Sequence, residues 1–283
     1  MKKFRFVLIV LFLVIINSTI VFAQIDTETN QALLPEILPT EIIESIIQKM
    51  STDTEKNQVL SPEILPTEIR ESIIQRMVMI SVINKQKDGE LKTHYGQGIL
   101  IQSNMILTVK HLVNETELNS QTVVMIYFYG TEKTLVLRKK DTTYHSSANI
   151  DSTIIKLDKL TKREKSTLPQ VEPIKFSTVQ PTETVFMPCF LRHQSDDAER
   201  SFWVKLFFSG TIVNTVLTNK DYLYINIPAS QGISGSGVFN KKGQLTGLAF
   251  AYFQINPDIR VAVAINNFRV EQFLKTIRIK DGD

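Results

Sequence analysis

The chain has 283 residues, with 32 basic and 29 acidic side chains and a formal net charge of +3. A charge this close to zero excludes a protein that binds nucleic acid through a dense basic surface. The single cysteine, Cys189, cannot form an internal disulfide bond, so a folded domain must depend on its hydrophobic core.

Residues 1–23 have the pattern of a secretory signal peptide. Basic residues precede an apolar run over residues 6–16, and residues 21–23 fit a cleavage site. The apolar run is short for a membrane span, although an uncleaved anchor is the alternative. We therefore expect an exported protein, periplasmic or extracellular, without stable membrane insertion.

Residues 24–77 form an N-terminal extension that contains a tandem repeat. Residues 30–50 and 57–77 are identical at 17 of 21 positions, with an offset of 27 residues. Each copy predicts a short helix with one apolar face, capped by Thr40 or Thr67. Two copies are too few for a solenoid, so their apolar faces need a surface to dock on.

The role of this extension is left open by its sequence. It is a duplication without separate activity, a pro-segment, or a docking element that binds a partner through residues 30–77. If the repeats cover a functional surface of the following domain, a chain that starts near Met77 should be at least as active as the longer one.

Short β-strand patterns follow from residue 78 onward, separated by turn residues such as those at 240–243. At residues 267–278 the apolar residues again have the spacing of a helix. Many short strands followed by one helix predict an all-β barrel or sandwich with a C-terminal helix.

A serine lies among glycines in the segment Gly232-Ile233-Ser234-Gly235-Ser236-Gly237. Glycine permits positive φ and close approach to a substrate. In such a turn, the amides of Gly232 and Ser234 can point at the place where the oxyanion of a tetrahedral intermediate forms. An ordinary Gly/Ser hairpin loop is the alternative interpretation.

The order of residues along the chain discriminates between two classes of serine hydrolase. The α/β-hydrolase class needs Gly-x-Ser-x-Gly and a histidine after the serine. Position 236 is Ser and the last histidine is His193, so this class is excluded. The order His, Asp, Ser is available.

His111 is the candidate general base. It follows the strand-like run 105–109, where a rigid sheet can aim an imidazole. His94, His145 and His193 lie in polar stretches, which indicate solvated surface residues.

Asp151 is the candidate orienting carboxylate, because it precedes the strand-like run 153–157. A carboxylate there can accept the Nδ1 proton of a histidine and hold the useful tautomer. Asp141 and Asp158 are weaker candidates, since neither is followed by an apolar strand in the right register.

Four segments together resemble trypsin-like serine proteases. Residues 108–111 are similar to the Thr-Ala-Ala-His motif, 151–157 to the Asp-x-Ala strand, and 232–238 to the Gly-Asp/Asn-Ser-Gly-Gly-Pro loop. Residues 261–266 resemble the closing strand of bacterial heat-shock-type (DegP-like) proteases; glutamyl-endopeptidase-type domains are the other near group. The resemblance covers residues 78–279.

The resemblance implies two six-stranded antiparallel barrels over residues 78–165 and 170–265, with the active site between them and a C-terminal helix at 267–278. It implies that Ser234 is the nucleophile, His111 the general base and then acid, and Asp151 its orienting group. The amides of Gly232 and Ser234 would form the oxyanion hole.

Substrate contacts also follow from the resemblance. Pro228 lies where trypsin keeps its specificity carboxylate, which implies an apolar or small primary pocket. The substrate backbone would add along Leu248, Ala249 and Phe250. Ile233 replaces the Asp that pairs with a new N-terminus in animal digestive enzymes, so activation by that ion pair is excluded.

No metal or cofactor is implied, because the chain has no His-Glu-x-x-His motif and no clustered Cys/His ligands. We also expect no peptide-binding PDZ domain of the kind found in the DegP-like group, and the expected partners are protein or peptide substrates. Two alternatives to an exported serine endopeptidase are a catalytically inactive, protease-like binding module and an adhesion or partner-docking protein acting through the N-terminal repeats.

Overall fold

A computed structural model describes residues 65–85, 91–131, 133–194, 201–214, 220–227, 229, 232–256 and 259–281. All of these residues belong to one compact unit. The predicted signal peptide, the first repeat copy and Pro228 lie outside the described residues.

The first half of the chain forms a curled, antiparallel half-barrel of seven strands. They are β1 (Met77–Lys85), β2 (Leu91–Gln102), β3 (Met105–Thr108), β4 (Val123–Phe128), β5 (Lys133–Arg138), β6 (Thr143–Ser146) and β7 (Thr153–Lys156). Their spatial order is β5-β4-β1-β2-β3-β7-β6. Alternation sets the buried face of β4, where Val124, Ile126 and Phe128 point into the core.

The second half closes into a six-stranded antiparallel barrel. Its strands are β8 (Thr184–Gln194), β9 (Ser201–Asn214), β10 (Tyr222–Ile225), β11 (Gly237–Asn240), β12 (Leu245–Asn256) and β13 (Ile259–Asn266). The order around the barrel is β10-β13-β12-β11-β8-β9. The predicted turn at residues 240–243 joins β11 to β12, with Gly243 N donating to Asn240 O at 3.0 Å.

The predicted all-β fold with a C-terminal helix is therefore confirmed, and it is consistent with a chymotrypsin fold. The first sheet has seven strands instead of the expected six. The additional strand is β6, in which only Tyr144 is apolar and buried. A strand with one apolar residue has no alternating pattern that could predict it.

Helix α1 (Thr67–Arg76) is the helix of the second repeat, and it docks on its own domain. Its N-cap is Pro66 and not Thr67, because the extended backbone of Pro66 leads directly into the first turn. Leu65 and Ile73 are buried within the core that fills the first sheet.

Two further helices follow. The short α2 (Lys162–Lys165) lies between the sheets in sequence, and α3 (Asn267–Asp281) ends the described chain. Helix α3 packs on β12 and β13 and buries Val270, Phe273 and Ile277. Among the described residues, none of the helices has the length and hydropathy that a bilayer crossing requires.

Candidate active site

Strands β3 and β7 bring His111 and Asp151 together. Thr108 at the end of β3 pairs with Thr153 at the start of β7, so the segments beyond them leave the sheet at the same edge. The Oδ2 atom of Asp151 lies 2.5 Å from Nδ1 of His111, and its Oδ1 atom lies 2.9 Å from the backbone N of His111. One carboxylate therefore fixes both the ring and the backbone of the histidine.

This contact determines which ring nitrogen can accept a proton. With Nδ1 directed at the carboxylate, the neutral ring carries its proton on Nδ1 and leaves Nε2 as the acceptor. The side chain of Asp151 is 13% exposed and that of His111 is 39% exposed. The ring can therefore reach a bound molecule while the carboxylate stays sheltered.

The other two candidate aspartates bond elsewhere. Asp141 accepts a hydrogen bond from the backbone N of Arg138 at 2.8 Å, and Asp158 lies 3.4 Å from the hydroxyl of Thr143. These contacts leave Asp151 as the carboxylate that meets His111.

Aromatic residues of the second barrel adjoin this pair. Burial raises the pKa of Tyr222 above its ordinary value, and the negative charges of Asp221 and Asp151 add to the rise. The ring of Tyr222 packs against Phe250, with 5.3 Å between the centroids. Tyr222 of the barrel is therefore close enough to Asp151 to feel its charge.

The glycine-rich loop between β10 and β11 is tightly folded around Ser234. Gly232 and Gly235 have φ of 95° and 90°, in the left-handed region that favours glycine. Gly235 N donates to Ala249 O at 2.7 Å, and Ala249 N donates to Ser236 O at 2.8 Å. The loop is therefore bonded to β12 on both sides of Gly235.

The hydroxyl of Ser234 donates to the carbonyl of Phe250 at 3.3 Å. Within the described residues it is bonded there and not to the ring of His111. The amides of Gly232 and Ser234 donate to no acceptor in this part of the chain. Amides without an acceptor among the described residues, beside a hydroxyl, could bind an oxyanion.

The serine loop and the histidine segment meet at Gly96 of β2. A Cβ on Gly96 would lie 2.5 Å from Cδ2 of Leu112, the residue after His111, and 3.0 Å from the carbonyl oxygen of Ser234. A side chain at this position would displace the end of the Leu112 side chain and press on the carbonyl of Ser234. The absence of a side chain at position 96 lets the two segments approach each other.

The described residues thus contain a hydrogen-bonded histidine–aspartate pair next to the first sheet and a serine in a glycine loop of the barrel. The family model for a trypsin-like peptidase domain matches residues 96–248, which include all three residues. The chain belongs to the trypsin-like peptidase family. A search of curated proteins found no match.

The trypsin-like peptidase domain has an open strand edge next to Ser234. Strand β11 pairs with β12 only as far as Leu248, whereas β13 pairs with β12 as far as Asn256. Phe250 lies in a bulge opposite β13, between Ala249 and Ala251. From Phe250 onward, one edge of β12 has no strand partner among the described residues.

This arrangement bears on the predicted substrate contacts, which stay a prediction. Leu248 and Ala249 are fully buried, and the serine loop already occupies both main-chain groups of Ala249. These two residues pack under the loop. Of the described residues in that prediction, only Phe250 is exposed enough to contact a substrate.

The peptidase domain also has a cavity of about 90 Å³ that is lined by His111 and His94. His94 was expected in a polar loop, but it lies in β2 and pairs with Val82; His145 likewise lies in β6. Burial lowers the pKa of His94, and the nearby charge of Lys92 adds to this effect. A lowered pKa keeps His94 neutral at pH 7.

Sequence reasoning missed His94, Tyr222 and Gln97 as neighbours of the site. Gln97 carried a usable signal, because it is a long polar residue between two glycines at the start of an apolar run. The described residues contain no group of three His, Cys, Asp or Glu side chains that could hold a metal ion.

Proposed function

We propose that this chain is an exported serine endopeptidase that uses Ser234, His111 and Asp151. The observation that carries the proposal is the 2.5 Å contact between His111 Nδ1 and Asp151, which leaves Nε2 as a base facing outward. Membership of the trypsin-like peptidase family supports the same reaction class.

The proposed reaction has two halves. Ser234 Oγ attacks the scissile carbonyl carbon while Nε2 of His111 takes the hydroxyl proton. The intermediate expels the amine, which receives that proton, and an acyl-enzyme remains. Water then attacks the acyl-enzyme through the same steps and releases the acid product. Asp151 stabilises the imidazolium that forms in each half.

The hydroxyl and the amides of the serine loop both take part in this chemistry. The hydroxyl of Ser234 must leave the carbonyl of Phe250 and bond to the ring of His111. The amides of Gly232 and Ser234 then serve as donors to the oxyanion, where a single donor is worth about 10²–10³ in kcat.

The substrate in this proposal is an extended peptide. Its backbone adds to the open edge of β12 beyond Phe250, because a strand edge offers unpaired N–H and C=O groups. Pro228 favours an apolar or small primary pocket. The signal-like residues 1–23 and the resemblance to DegP-like and glutamyl-endopeptidase-type domains support the proposal that this activity is periplasmic or extracellular.

Labelling with a fluorophosphonate tests the nucleophile. We expect the unsubstituted protein to be labelled and Ser234→Ala to lose all labelling and peptide hydrolysis. Ser236→Ala is the matched control in the same loop; it should keep both, because Ser236 is 2% exposed and its hydroxyl is buried.

The outcomes separate three interpretations. Labelling that persists in Ser234→Ala would assign the nucleophile to another residue. An unsubstituted protein that binds peptides but resists labelling would favour a catalytically inactive binding module, in which Ser234 remains bonded to Phe250.

A further inference from the structure

Gln97 is a buried polar residue in β2, where both neighbours are glycine. It is 2% exposed, although its side chain carries two amide protons and an acceptor oxygen. Burial of an amide without partners is costly, so its hydrogen bonds account for its presence there.

The side chain of Gln97 reaches from the first sheet into the second barrel. Its Nε2 atom donates to Gly232 O at 2.7 Å and to Phe190 O at 3.1 Å, and its Oε1 atom accepts from Phe190 N at 3.0 Å. Two carbonyls face the nitrogen and one N–H faces the oxygen, which sets the orientation of the amide.

The main chain of Gln97 makes two further bonds. Its N–H donates to Ser234 O at 2.8 Å, and its carbonyl accepts from the hydroxyl of Thr108 at 2.6 Å. Thr108 lies three residues before His111. One residue is thus bonded to the serine loop, to β8 and to the strand that leads to the histidine.

The two hydrogen bonds from Gln97 to the serine loop lie on either side of one peptide unit of the loop. Gln97 holds the carbonyls of Gly232 and Ser234, and the peptide group between Ile233 and Ser234 lies between them. That peptide group carries the Ser234 amide, one of the two proposed oxyanion donors. Because both flanking carbonyls are held, the direction of this N–H is restricted.

We propose that Gln97 is a positioning residue, which fixes the oxyanion-binding amide of Ser234 relative to His111. This role rests on the function proposed above. Gln97 touches no reacting atom. It acts through the loop by keeping this donor preorganised, which is the condition for its strong effect on the transition state.

The test compares Gln97→Met with the unsubstituted protein. Methionine has similar length but no amide, so the loop loses its side-chain anchor. We expect kcat to fall about 10- to 100-fold with KM nearly unchanged, because misplaced groups affect the transition state most. Affinity for a peptide boronate, which forms a tetrahedral adduct with the serine, should fall by a similar factor.

Amide hydrogen exchange gives a second measurement that does not require catalysis. Exchange in residues 232–236 should become at least tenfold faster in Gln97→Met, while strands of the first sheet keep their protection. Gln121→Met is the matched control, since Gln121 is exposed; it should change none of these quantities.

Gln97→Glu is a gentler variant in case the methionine variant does not fold. When protonated, the introduced carboxyl can donate one hydrogen bond and accept one; on ionisation it loses the donor. We expect its boronate affinity to weaken as pH rises through that ionisation, relative to the unsubstituted protein at each pH.

Two results would overturn the proposal: unchanged kcat and boronate affinity in a folded Gln97→Met protein, or unchanged exchange in residues 232–236. A failure of the peptidase function itself is recognised separately. It shows in the unsubstituted protein as an absence of labelling, and hydrogen exchange then still decides whether Gln97 holds the loop.

Discussion

Gly235, the residue after Ser234, has no room for any side chain. Its φ is 90°, and a Cβ there would lie 1.8 Å from the carbonyl oxygen of Gln97 and 3.0 Å from the hydroxyl of Thr108. Both a strained backbone and a backbone clash oppose substitution. We expect Gly235→Ala to lower the free energy of unfolding by at least ~3 kcal/mol, as measured by urea denaturation.

Gly243→Ala is the control for the effect of φ alone. Its φ is 72°, but the nearest atom to a new Cβ is the side-chain Cγ2 of Ile69 at 3.0 Å. A side chain can shift, so the expected loss is about 1 kcal/mol. Equal losses at the two glycines would show that the contact with Gln97 is unimportant.

Individual residues of the site differed in how far the sequence could predict them. His111 and Asp151 were predicted as a pair from strand-end positions, and the structure brings them to 2.5 Å. Their roles, and that of Ser234, stay predictions until activity is measured. Gln97 could not be assigned a role, because its partners lie 93 and 135 residues away along the chain.

At the scale of elements, α1 is an integral part of the domain core. Ile73 of α1 is 1% exposed, whereas its neighbour Ile74 is only half-buried. We expect Ile73→Ala to cost about 3 kcal/mol of unfolding free energy, from lost burial and the cavity left behind. Ile74→Ala should cost about 1 kcal/mol in the same denaturation experiment. Similar small losses for both would mean that α1 is not firmly docked.

This docking bears on the expectation that a chain starting near Met77 is at least as active. Such a chain would lack Leu65 and Ile73, which belong to the main hydrophobic core. Arg76, whose Nη1 donates to the carbonyl of Leu100 at 3.3 Å, would be lost as well. The contacts of α1 therefore favour a structural role for the second repeat over a removable cover.

Strands could be predicted from the sequence where apolar and polar side chains alternate, and could not be predicted where they do not. Strand β4 and the hairpin turn at 240–243 have clear signals. Strand β6 has no such signal in its sequence. It forms because it pairs with its neighbour β7, with Tyr144 opposite Ile155. Tertiary pairing created a strand that local pattern could not predict.

At the scale of the whole molecule, the order of the motifs indicated which segments belong to the predicted site. It did not indicate the positions of those segments relative to one another. His111 and Asp151 belong to the first sheet, and Ser234 belongs to the barrel. Their mutual position depends on hydrogen bonds between the sheets, such as that from Gln97 N to Ser234 O. Contacts of this kind have no local signature in a single sequence.

The tandem repeat makes a prediction about the whole chain, because its copies are nearly interchangeable. Deletion of residues 51–77 joins Met50 directly to Val78, so the first copy takes the place of the second. Among the described residues of the second copy, the buried apolar positions keep the same residues in the first, and the one buried difference is Arg76, which becomes Lys49.

We therefore expect this deletion to reduce unfolding free energy by no more than about 1 kcal/mol, since lysine keeps the charge but loses the guanidinium bond to Leu100. Deletion of residues 24–76 removes both copies and should cost at least about 3 kcal/mol, because nothing then covers the surface under α1. Urea denaturation of the two shortened chains distinguishes these results. If both deletions destabilise the protein equally, residues 30–50 do not carry the docking property of α1, and the four substitutions between the copies have changed their role.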